Sequence, residues 1–310
     1  MIDAIRTLTQ MSVAPARRRA RRIEASAVAA FGPVVLLAPF CVLALLVTWL
    51  VVRLVWDIPF WWFAGGYIVA GVVLFARPVQ ALVLTPLFGA RRPTPDELAV
   101  IAPVWREVTV ASGVRSDRFV VRVLPSDELN AFACGGHLVV VTSFAIDELP
   151  RGELAGVLAH ELSHHLGLHT VALTVGHWLS LPVVGLARVG FFLQNVATAA
   201  TDAFAAESAA WTIFGQLVAG LLRALSLPFV AALYAADAVT NIVGHASEFQ
   251  ADRRVVTMGY GRNLALALRR VVRLGGGGRA IGWRARLAAS HPSARTRIAR
   301  IEAMLRHPAR

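Results

Sequence analysis

The chain contains no lysine: all 31 of its basic residues are arginine, and against 19 acids they leave a formal charge of +12. An arginine bias of this kind follows genome composition as readily as function, so no recognition code is read from it. Cysteine is nearly absent too. Cys41 sits in an apolar run and Cys134 far away in a polar segment, which excludes a disulfide framework and fits a reducing compartment. Charge of either sign is scarce, at 16% of residues against 56% hydrophobic and a mean hydropathy of +0.60. That excludes a simple soluble domain. Nor does the chain contain an internal repeat.

The few charges are unevenly placed. Residues 1–24 form a polar arm holding Arg17, Arg18, Arg19, Arg21 and Arg22. Residues 25–52 then run for 28 positions without a charge, enough for a transmembrane helix. This run is too long, and begins too far in, for a cleaved signal peptide. A second uncharged run, 58–76, carries Trp61, Trp62 and Tyr67 near its beginning, as expected at a membrane interface. Residues 25–84 therefore read as a transmembrane hairpin. Residues 170–187 and 208–236 form a second, weaker hydrophobic pair. Arg223 interrupts it, at a cost unless the guanidinium faces protein or water.

Arginine placement orients the chain. With the N-terminus in the cytoplasm, six arginines before the first span, eight from 77 to 151 and fourteen from 253 to 310 share that side. The outer loops keep Arg53 and Arg188, so the positive-inside rule holds. The expectation is a multi-pass protein of the cell (inner) membrane, with membrane lipids as partners. A basic cluster before a hydrophobic span is an anchor, so no nucleic acid partner is expected. The sequence sets no oligomeric state.

Residues 91–149 read as a soluble α+β segment. Thr94, Pro95 and Glu97 spell a capping box opening a helix. Strands are expected over 118–124, 130–133 and 137–142, with Gly135-Gly136 as the turn between the last two.

The next stretch, residues 152–169, reads GELAGVLAHELSHHLGLH and contains an HExxH motif, His160 to His164. Residues four apart on a helix lie about 40° apart around its axis, so both imidazoles can face one point, with Glu161 beside it. Zn²⁺ needs such an arrangement: two neutral nitrogens, a third protein ligand, and a carboxylate near an open position for water. A metzincin-type third histidine is not in place, since position 170 is Thr and His169 falls one residue short. The alternative is a carboxylate from another helix. Glu248 and Asp252, four apart, offer a zinc ligand and a hydrogen-bond partner for a ligand histidine. Two membrane crossings, or none, between His164 and Glu248 would let them meet. His165 and His169 read as packing residues. His245 either falls near the metal or ends a membrane segment.

HELSHH, then a hydrophobic pair, then EFQAD resembles the HtpX-type membrane-bound zinc metalloproteases, which are related to the CAAX prenyl protease family and are gluzincins by ligand set. Residues Asn130, Ala131, Phe132 and Ala133, running into Cys134-Gly135-Gly136, are similar to that family's NAFA-x-G stretch, and His291-Pro292 to its HP near the C-terminus. The resemblance implies a mainly α membrane protein with a small α+β zincin-like catalytic domain. Residues 1–24 would be the cytoplasmic arm and 25–84 the first hairpin. Residues 85–169 and 237–310 would be two catalytic parts, separated by a second hairpin at 170–236. It implies that His160, His164 and Glu248 hold zinc, that Glu161 and His291 act on substrate, and that residues 130–133 pair with substrate backbone. The substrates would be membrane or membrane-proximal proteins, probed in quality control. A protease processing one specific partner, or a non-enzymatic basic membrane scaffold, are the alternatives.

Overall fold

The computed structural model describes residues 31–204, 209–274 and 293–307, with backbone alone at 204 and 235–243. The basic arm, the first six residues of the expected first span, the glycine run 275–278 and His291 lie outside the described residues.

Helix α1 (Gly32–Val52) is apolar on every side, as a membrane-crossing segment must be. Helix α2 (Phe60–Val73) packs back on it through Trp49 and Phe60, whose rings meet edge to face at 5.6 Å. At 14 residues α2 is short for a crossing by itself, and the second span expected over 58–76 takes the form of a bent pair, either a broken span or a re-entrant loop. The chain instead breaks before Pro78, whose ring cannot follow a helical carbonyl four residues back. It resumes as α3 (Arg77–Leu87), bent 76° away.

The capping box forms as the sequence requires. Thr94 accepts from the Glu97 N–H, Glu97 accepts from the Thr94 N–H, and α4 (Pro95–Ala111) follows. Three strands make one sheet in the order β1 (Val120–Leu124), β3 (Leu138–Thr142), β2 (Ala131–Cys134). β1 lies parallel to β3, and β2 antiparallel to it. The central β3 is buried at all five positions, hence its unbroken Leu-Val-Val-Val run. Its side chains alternate between two cores. Val139 and Val141 join Ile101, Val104 and Val108 of α4, while Leu138 and Val140 meet Leu84 of α3. After a short helix α5 (Ser143–Glu148), α6 (Arg151–Leu166) packs Leu154, Leu158 and Leu162 into the first of these cores.

α7 (His169–Phe204) and α8 (Ala209–Thr257) run back along each other. Although their hydropathy is lower than that of α1, both contain stretches long and apolar enough to cross a membrane, at His169–Ala203 and Ala209–Tyr234. α8 then continues unbroken to carry Glu248 and Asp252, where a separate helix was expected from 237. Arg223 is exposed on α8, without a covering of protein. Tyr67 of α2 stacks on Trp178 of α7 at 4.8 Å and donates to its carbonyl, joining the two membrane pairs. Finally α9 (Gly261–Arg273) and α10 (Ala294–Arg306) close over α6 and α8. Gly156 makes this closure possible. A Cβ there would stand 2.5 Å from the Leu264 nitrogen of α9.

The capping box is also an ion pair, with Arg91 Nη1 and Nη2 each 2.7 Å from a Glu97 oxygen. That hydrogen bonding holds the Glu97 carboxyl down at about 2. Because the folded value lies below the unfolded one, the contribution is complete above pH ~4.5 and is lost as pH falls toward 2. Glu97→Gln should therefore lower Tm by about 2–4 °C near pH 7. In thermal unfolding followed by circular dichroism, the gap to wild type should close on acidification.

Candidate metal centre

Two helices bring three donors together. His160 and His164, on successive turns of α6, hold their Nε2 atoms 3.1 Å apart. Glu248 enters from α8 with Oε2 3.1 Å from His160 Nε2 and Oε1 3.1 Å from His164 Nε2. All three are buried, at 4%, 8% and 3% exposure, and their donor atoms lie within 4.8 Å of one another. Ligand atoms bound at ~2.0 Å around a tetrahedral ion stand about 3.3 Å from each other. The observed separations match that spacing, so two imidazoles and a carboxylate here could hold one ion.

The surroundings fix the ligands. Asp252 Oδ1 lies 3.2 Å from His160 Nδ1, the nitrogen turned away from Glu248, and so sets the ring's orientation. Burial and the Arg297 charge press the His160 pKa down. The carboxylates of Glu248 and Asp252 outweigh them and bring it to about 9. Burial raises Asp252, and its bond to His160 and the Arg297 charge more than reverse this, leaving it below the usual carboxylate range. Glu161, one residue beyond His160, is buried at 6% exposure beside the same cluster.

Arg297 is the residue that sequence reasoning missed. It lies on α10, with 6% exposure. Its Nε and Nη2 donate to the two Asp252 oxygens at 3.0 and 2.7 Å, and Nη1 stands 3.1 Å from Glu248 Oε2. One signal did exist. Arg297 and Ile301, four apart, are the two buried positions of α10, so the helical period puts this one arginine on the apolar side.

The remaining predicted residues fall as follows. Asn130 to Ala133 lie at and within β2, the sheet edge that packs beside α6. Thr142 Oγ1 donates to the Asn130 carbonyl at 2.9 Å, anchoring the start of that strand. The turn after it is held from both membrane pairs. The Gly135 N–H donates to Thr174 of α7 at 3.1 Å, and the His137 N–H to Gln80 of α3 at 3.1 Å. Gly135 itself has φ +68°, a conformation that favours glycine. His165 is structural, its Nε2 3.1 Å from the Leu138 carbonyl and its Nδ1 3.2 Å from Thr170 Oγ1, and burial pushes it down to about 3. His169 stands edge-on to His164 at 6.2 Å, outside the donor cluster. His245 is exposed.

Comparison with known proteins gives concordant findings. The profile of Peptidase family M48 matches residues 96–305. A "Protease HtpX homolog" from Acidiphilium cryptum is 31% identical over 151 residues, 47% of this chain and 47% of that protein. Another from Salinibacter ruber is 30% identical over 192 residues, 59% and 67% respectively. The chain thus spans about half the length of the first of these curated relatives. The crystal structure of S. mikatae Ste24p aligns with 83% of this chain and 62% of its own, at 16% identity and a TM-score of 0.48.

Removal of the contacts around the cluster should separate ligand from support. Glu248→Ala is expected to lose bound metal, whereas Asp252→Ala should weaken metal affinity ~10–100-fold and respond to added zinc. Arg297→Ala strands two buried carboxylates and should destabilise the fold by about 3–5 kcal/mol. Metal content by mass spectrometry and denaturant titration read the two effects. Full metal retention in Glu248→Ala would overturn the ligand assignment.

Proposed function

The chain belongs to peptidase family M48, and on that footing we propose that it is a membrane-bound, zinc-dependent endopeptidase. The carrying observation is the convergence of His160, His164 and Glu248 on one point, with the Glu161 carboxylate beside it. A zinc ion, when bound, supplies polarisation of a scissile carbonyl and a lowered pKa for water at the site. Glu161 takes a proton from the attacking water and passes it to the departing amine nitrogen. Asp252 keeps His160 turned toward the centre. The exposed edge of β2, at residues 130–133, pairs with substrate backbone by strand addition. By resemblance to the family's HP motif, His291, which lies outside the described residues, would act on substrate.

Membrane or membrane-proximal proteins are the proposed substrates, in quality control. Two features support this reading. α6 ends at Leu166, and α7, a helix able to cross a membrane, begins at His169. Large apolar side chains on three of the helices, among them Trp61, Trp62, Phe192 and Leu217, are exposed, as lipid-facing residues would be. The arginine distribution favours the inner membrane with a cytoplasmic site.

Glu161→Gln should keep its zinc and lose turnover of a membrane-protein substrate by about 10²–10⁴-fold. Turnover at the wild-type rate would refute the assigned base. A chain that binds no zinc and cleaves nothing would instead favour a scaffold. For topology, single cysteines at Arg92 and Arg262, in a chain whose Cys41 and Cys134 are replaced by alanine, should both react with a membrane-impermeant reagent from the cytoplasmic side alone. Labelling from opposite sides would exclude the proposed orientation.

A further inference from the structure

Away from the metal centre, two open cavities of about 470 and 420 Å³ share Arg77, the first residue of α3. One is lined also by Arg115, Asp117 and Arg118, the other by Phe119 and Arg122. The charge here is one-sided. Asp117, the carboxylate lining the first of them, is engaged by Arg115 at 3.0 and 2.5 Å. Arg122 Nε is buried and meets no hydrogen-bond partner, while Nη1 reaches only the Val121 carbonyl at 2.9 Å. Burial, and then the charges of Arg92 and Arg77, hold the Arg122 pKa below its ordinary value. Arg115 is paired with Asp117 and the Arg118 guanidinium lies over the Phe119 ring at 5.9 Å, but among the described residues no carboxylate lines the cavity that Arg77 and Arg122 share.

Its position supplies a reason. Arg77 follows directly on the apolar run of α2, at the 76° bend. On α3, Leu82, Val83 and Leu87 are 69%, 52% and 66% exposed. An apolar face of this kind, turned sharply from a helix that enters a membrane, lies along the interface with its side chains at the acyl boundary. The arginines beside it then stand at headgroup depth. A guanidinium fork matches phosphate oxygens in pairs, and an anion between like charges relieves their repulsion.

We propose that the two adjoining cavities that share Arg77, one lined by Arg118 and the other by Arg122, bind the phosphate of an anionic phospholipid headgroup. The site is separate from the proteolytic one and does not depend on its assignment. Free phosphate offers the same chemistry, but it has no use for the apolar face of α3.

The test is native mass spectrometry of the full chain in a neutral detergent, titrated with phosphatidylglycerol and, separately, phosphatidylcholine. Saturable retention of phosphatidylglycerol is expected, with phosphatidylcholine retained about tenfold less or weaker. Arg77→Gln/Arg118→Gln, both exposed positions, should reduce phosphatidylglycerol affinity at least ~10-fold. The control Arg106→Gln/Arg262→Gln, which removes the same charge elsewhere on the surface, should not. Inorganic phosphate at millimolar concentration should fail to displace the lipid. Equal retention of the two lipids, equal loss in the control, or displacement by inorganic phosphate would each overturn the proposal.

Discussion

Ionisable side chains leave water only when each finds compensation, and the half of this protein that holds the candidate metal centre is assembled around one such cluster. His160 and His164 on α6, Glu248 and Asp252 on α8, and Arg297 on α10 are all buried, and each touches at least one other. The members span 137 residues of sequence between His160 and Arg297. Removing one leaves another buried and unmatched, so three helices are held to a common geometry by electrostatics as much as by packing. The leucines of α6 pin the metal helix to the sheet. Gly156 lets α9 close over it, and the cluster fixes the angle at which α8 and α10 arrive.

The sheet is small, but its edge is placed with care. β3 is the buried spine and β1 is backed by the Arg91–Val123 bridge, so that among the described residues β2 is the strand with an unpaired side. The β2–β3 turn is gripped by Gln80 from the first membrane pair and Thr174 from the second. Gln80 is fully buried under Gly135, where any side chain would collide with it. A shift of either membrane pair is thereby transmitted to the edge strand through hydrogen bonds to its turn. Strand and HExxH helix are neighbours, so the hydrogen bonds from both membrane pairs also bear on how β2 sits against α6.

What was legible in the sequence was legible because it was local or periodic. The HExxH spacing fixes two imidazoles on one helix face whatever surrounds them, and Glu248 and Asp252 share a face by the same rule. The capping box at Thr94 and Glu97 and the glycine turn after β2 are likewise decided within a few residues. Long apolar runs announced α1, α7 and, despite Arg223, α8, because few charges can be carried cheaply across a bilayer. The strands lay within two residues of where alternation put them.

Tertiary structure decided the rest, since it depends on which distant groups meet. Hydropathy could not say that α2 stops after 14 residues and that the chain bends by 76° at Arg77-Pro78. It could not say that one helix runs through both an apolar stretch able to cross a membrane and the carboxylates Glu248 and Asp252. Above all, it could not choose, among the C-terminal arginines, Arg297 as the one that in the described residues is buried against Asp252 and Glu248. Composition counts charges, but only the packing of α10 against α8 removes Arg297 from water and gives its charge a partner.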